Sequence, residues 1–133
     1  MLFALLGLCF LLVNANTEYP EALKKCLTYD AVSEWYIAFN RMLNRNLDWN
    51  NKLSYEACYD LVGLEKNNVN ERYESGRSFA GRSLALKTKV RMALSAGSQT
   101  MKEKVRSLVP STEYGCNGLL EGDYLKVLCL YQS

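Results

Sequence analysis

Histidine is absent from the chain, which removes Ser-His-Asp and Cys-His nucleophilic systems, histidine-ligated zinc and the usual general base near neutral pH. A pair of carboxylates could still act as acid and base. Glu56 and Asp60 stand four residues apart, which puts them on one helix face, but ordinary solvated helices carry the same spacing. Gly76 and Gly81 lie in a polar stretch and do not form a phosphate-binding loop after a strand. No residue is therefore assigned a catalytic role. The chain is read as a non-enzyme that uses no metal and no cofactor.

Cysteine is the other reactive side chain. Residues 1–15 carry no charged side chain, and Leu2 to Val13 is an almost unbroken apolar run. That run suits a secretory signal peptide and falls short of the roughly 20 residues a bilayer span needs. Val13 and Ala15 stand three and one residues before the expected cut, and Asn16, Thr17 and Glu18 follow. Cleavage there removes Cys9 and leaves Cys26, Cys58, Cys116 and Cys129, an even set in an exported chain. Three pairings are open. A short reversal between Cys116 and Cys129 favours joining those two, with Cys26 and Cys58 left to each other. Zinc would need four thiolates with no Cys-x-x-Cys pair and no histidine, in an oxidising compartment, so no metal site is assigned.

Charge is uneven. The net value is +2, but residues 72–106 carry Arg72, Arg77, Arg82, Lys87, Lys89, Arg91, Lys102, Lys104 and Arg106 against Glu74 and Glu103. Arg82, Lys87, Lys89 and Arg91 are the candidate contacts to an anionic lipid or polysaccharide surface. A solvated helix face is the plainer interpretation of the same residues. Nucleic acid is not expected, since Tyr73 and Phe79 are the stretch's only aromatics.

The elements that would position these groups follow from periodicity. Val32, Trp35, Tyr36, Phe39, Met42 and Leu43 recur at helical spacing after Asp30, and predict an amphipathic helix running to about Asn46. Asp48 to Lys52 is a polar turn. Leu53 to Val62 predicts a second helix with Ser54 as its cap and Gly63 near its end. Lys66 to Gly76 has few hydrophobes and is expected to be a loop. From Phe79 the pattern is helical again, with Leu86, Val90, Ala93 and Leu94 inward; Met101 to Val109 is a further helix before Pro110. Leu125, Val127, Cys129 and Tyr131 alternate along a strand, with Thr112 to Cys116 as its partner. The fold class is α+β: helices packed on a small antiparallel sheet. Residues 16–133 form one domain. There is no second long apolar run, so the product is not membrane-spanning.

Several of these segments resemble a known family. Gly115-Cys116 followed by Val127-Leu128-Cys129-Leu130-Tyr131 is similar to the ending of the CAP superfamily, or SCP domain. Phe39-Asn40-Arg41 resembles that family's His-Asn-x-x-Arg helix, and Leu53-Ser54-Tyr55 its Leu-x-Trp/Tyr motif. Leu108-Val109 matches the apolar strand before its Gly-Cys pair. The resemblance implies a reduced α-β-α sandwich. Phe39 stands where the family's first tetrad histidine belongs, Lys102 falls near the second, and the Gly-Glu-Asn acidic motif has no match between Lys66 and Gly97. The chain then resembles a shortened, degenerate CAP domain without its metal-binding tetrad. The resemblance implies a secreted domain that works by binding, its partner an unknown extracellular protein or lipid.

Overall fold

The computed structural model describes residues 21–133; the expected signal peptide and Cys9 lie outside them. After a 3-10 turn at Glu21–Lys25 come helix α1 (Asp30–Leu43), strand β1 (Asp48–Trp49), helix α2 (Asn51–Leu61) and strand β2 (Glu71–Ser78). Helices α3 (Leu86–Ser95) and α4 (Gln99–Arg106) and the hairpin β3 (Glu113–Glu121) and β4 (Tyr124–Gln132) complete the chain. The sheet order is β1-β3-β4-β2, with β2, β4 and β3 antiparallel and β1 parallel to β3. The fold is α+β, as the periodicity predicts.

Both faces of the β3–β4 hairpin are covered, which is why its inward and outward residues are alike apolar. Val127, Cys129 and Tyr131 pack with Tyr114 and Cys116 beneath α1, α3 and α4. Leu128 and Leu130 point the other way onto Leu53 and Ala57 of α2. The result is three layers, helix–sheet–helix.

Helix α1 follows from its spacing: Val32, Tyr36, Phe39 and Asn40 are its buried side. The chain leaves it at Asn44, whose Nδ2 donates to the carbonyls of Val105 and Leu108 at 3.1 Å. One side chain thus ends α1 and satisfies orphan carbonyls of α4. Helix α2 starts one turn earlier than expected. Its cap is Asn50, whose side chain accepts from Lys52 N at 2.8 Å, while Ser54 is buried inside the helix and donates to Cys116 O at 2.6 Å. Gly63, at φ +79°, closes α2 with Leu64 N bonded to Tyr59 O and Gly63 N to Asp60 O, the paired bonds of a Schellman ending.

Four segments differ from the sequence expectation. Residues 71–76, expected in a loop, belong to β2, which pairs with β4 from Glu71↔Tyr131 to Ser78↔Tyr124. Tyr73 is its one buried side chain, so no apolar alternation marks it; charged edge strands of this kind resist pairing with other chains. Asp48 and Trp49, expected in a turn, form β1 against Glu113 and Tyr114. The third helix begins at Leu86 rather than Phe79, whose side chain is buried ahead of it. Leu108 and Val109 are in no strand, and Val109 is exposed; β3 starts only after the chain turns at Pro110 and Ser111.

The edge strand is tied down by charge. Arg72 grips Asp60 at the end of α2 with two bonds, 2.8 and 2.9 Å, and also reaches Glu74. The Arg72 guanidinium holds the Asp60 carboxyl below its ordinary value. Asp60→Asn should lower unfolding free energy by about 1–2 kcal/mol at about pH 7. Because the folded-state pKa is depressed, that contribution is complete above the unfolded value near 3.9 and is lost as pH falls through the lower folded value. Urea unfolding of both proteins should show the gap shrinking between about pH 5 and pH 2; a gap independent of pH would mean that Asp60 acts by packing.

Candidate functional site

Helices α1 and α3 lie side by side on one face of the sheet, and a groove of 470 Å³ runs between them. Glu34, Trp35, Ala38, Phe39 and Met42 line it from α1; Lys87, Arg91 and Ser95 line it from α3. These α3 residues share one face because they are spaced by four. Phe39 is buried and forms the floor, Trp35 is partly buried, and Met42 is 76% exposed.

Two further hollows adjoin the groove. A depression lined by Ala38, Arg41, Met42 and Arg45 shares two residues with it. Another, lined by Arg77, Arg91, Met92, Ser95 and Ala96, shares Arg91 and Ser95. An apolar strip is therefore bordered by Lys87 and Arg91 in the groove itself, by Arg41 and Arg45 in the first of these hollows and by Arg77 in the second. Glu34 is the one carboxylate lining these three hollows. None of the five cations makes an ion pair among the described residues.

Of the residues singled out from sequence, Lys87 and Arg91 come together here. Lys89 lies on a different side of α3, its ammonium 5.9 Å from the centre of the Phe79 ring. Arg82 sits in the exposed loop before α3 and lines none of the three hollows. Arg41 and Arg45 line the adjoining hollow, although the sequence reading assigns them no contact. The available signal was two arginines spaced by four; only the packing of α3 beside α1 joins them to Lys87 and Arg91.

Below the groove, Asn40 is wholly buried. Its Nδ2 donates to Tyr36 O at 2.9 Å and faces Cys116 Sγ at 3.3 Å, while its Oδ1 accepts from the Tyr131 hydroxyl. Burial raises the Tyr131 pKa well above the ordinary value, so the hydroxyl stays a donor. Every polar atom of Asn40 has a partner inside the core, which makes it a structural residue. Cys116 is bonded to Cys129 directly across the hairpin, and Cys26 to Cys58 on the α2 side.

The arrangement does not fit a bound metal. Among the described residues no group of three or more Cys, Asp or Glu side chains is placed to hold an ion. Phe39 packs 5.4 Å from the Tyr73 ring, centroid to centroid, and the Lys102 ammonium donates to Ser95 O at 2.7 Å; neither is a ligand. Asp60 is committed to Arg72, and its pKa is moved in the wrong direction for a general acid. Glu56 is 3.9 Å from the Lys52 ammonium. Among the described residues no helix is long and apolar enough to cross a membrane.

Comparison with known proteins adds three findings. A family model described as 15 kDa excretory/secretory protein matches residues 35–133. No curated protein matches the chain. Among solved structures, the crystal structure of hookworm platelet inhibitor is similar at a TM-score of 0.51 and 14% identity, covering 87% of this chain and 74% of that one. At that identity the likeness concerns the fold alone.

Proposed function

The chain belongs to the 15 kDa excretory/secretory protein family, and from that membership we propose that it is a secreted, non-enzymatic binding protein of degenerate CAP type. The observation that carries the reading is the groove between α1 and α3: an apolar strip bordered by cations that make no ion pair among the described residues, which also place no metal-binding group of three or more side chains there. Export is supported by the family description, by the two disulfides and by the apolar leader read from sequence. The CAP assignment is supported by Gly115-Cys116 on β3 running beside Val127 to Tyr131 on β4, between helices on both faces.

A cationic protein spreading residues 72–106 over an anionic lipid or polysaccharide surface is the less favoured reading. Arg72 is engaged by Asp60 and Glu74, Lys89 lies over Phe79, and Arg82 lines none of the groove's hollows. Two cations of the segment, Arg72 and Lys89, are thus engaged within the fold.

The test uses the full chain expressed with its own leader and recovered from the medium. The product should begin at Asn16 and bind an extracellular protein or lipid saturably. Purified protein that turned over a substrate and bound nothing saturably would overturn the reading.

A further inference from the structure

We infer that the groove between α1 and α3 seats an acidic amphipathic segment of a partner protein. The inference rests on the binding-protein reading above and names the chemistry of the partner.

Two features define the occupant. The first is Met42, 76% exposed over an apolar floor that includes Trp35 and Phe39. An exposed, unbranched thioether is an adaptable contact for apolar side chains of varied shape. The second is the placement of charge. Lys87 and Arg91 stand four apart on α3, while Arg41 lies near the end of α1 and Arg45 just beyond it; among the described residues none of the four makes an ion pair. Lys87 and Arg91 line the groove, and Arg41 and Arg45 line the hollow that adjoins it at Ala38 and Met42, so two clusters of positive charge border one apolar strip and their fields add along it.

An occupant must satisfy both features at once. A single-chain lipid would use the apolar floor but carries one charged group, which meets one of the two clusters. A sulfated polysaccharide would use the cations and leave Met42 uncovered. A peptide with apolar side chains at positions i, i+3 or i+4, and i+7, and acidic residues at its flanks, meets the floor and both clusters together.

The test titrates the exported full chain with a panel of helical peptides carrying leucine anchors at that spacing and glutamate flanks. Panels with lysine flanks and with scrambled anchors serve as controls. Saturable binding by members of the glutamate panel alone is expected, weakening as salt rises. The double variant Lys87→Glu/Arg91→Glu should weaken it by roughly tenfold or more. Met42→Asp should do the same without lowering the unfolding midpoint, because that side chain is already in water. No binding by any acidic peptide would overturn the inference, as would unchanged affinity in both variants. Palmitate or heparin binding instead, lost in the same variants, would overturn the partner while leaving the binding-protein reading intact. Only substrate turnover with no saturable ligand of any kind would remove both.

Discussion

Replacing Gly115 with alanine is expected to destabilise the fold by about 3 kcal/mol or more, at the upper end for an overpacked site. A Cβ there would stand 2.2 Å from Ser54 N, 2.5 Å from Leu53 C and 2.7 Å from Asn50 O. All three are backbone atoms of the α2 start, so no rotamer change relieves them. Nor is the helix free to retreat. Asn50 N donates to Tyr114 O at 2.7 Å, Ser54 Oγ to Cys116 O at 2.6 Å, and Asn117 Nδ2 to Ser54 O at 3.1 Å. Moving α2 outward would break those bonds on buried groups and open the Leu53–Ala57–Leu128–Leu130 contact. Gly76→Ala offers a control, since the nearest atoms its Cβ would meet belong to the exposed Tyr124 side chain, which can swing away. Guanidinium unfolding should rank the two with Gly115→Ala clearly the worse. A Gly115→Ala protein within about 1 kcal/mol of the parent would mean that α2 rests on the sheet more loosely than described.

The same close approach explains part of what the sequence made legible. Gly115-Cys116 reads as a motif because the backbone of one helix lies on that glycine and a disulfide leaves from its neighbour. Helix α1 was visible because its buried side follows a single period, Val32, Tyr36, Phe39. Strand β2 was not. It takes its place from hydrogen bonds to β4 and presents only Tyr73 to the core, so neither composition nor alternation announces it. The groove was half legible for a related reason. Lys87 and Arg91 stand out as a basic run, but Arg41 and Arg45, more than forty residues earlier, join them only through the packing of α1 against α3. Charge clustering in space between distant segments leaves no trace in a one-dimensional reading.

The two disulfides should differ in the opposite sense to their loop lengths. Their sequence separations are 32 for Cys26–Cys58 and 13 for Cys116–Cys129. Constraint of the unfolded chain alone would give about 3.7 and about 3 kcal/mol, so the longer loop should matter more. The native state adds a second contribution. Cys116 and Cys129 are both fully buried, between Asn40 and the strands, and their sulfurs face the Asn40 amide at 3.3 and 3.6 Å. Cutting both to alanine leaves voids of about methyl size, each costing about 1 kcal/mol, with rigid neighbours that cannot collapse. Cys116→Ala/Cys129→Ala is therefore expected to lose about 5 kcal/mol, against about 4 for Cys26→Ala/Cys58→Ala, a bridge that is also buried but borders a surface hollow at Cys58, into which the lost volume opens. Cys116→Val/Cys129→Val separates the contributions. It fills the void without restoring the cross-link, and should regain about 1–2 kcal/mol over the alanine pair. Denaturant midpoints of the three double variants, compared under oxidising conditions, decide the matter. If the Cys26–Cys58 variant is the least stable, and valine recovers nothing at the hairpin, chain entropy alone governs both bridges and the buried Asn40–disulfide contact adds no stability.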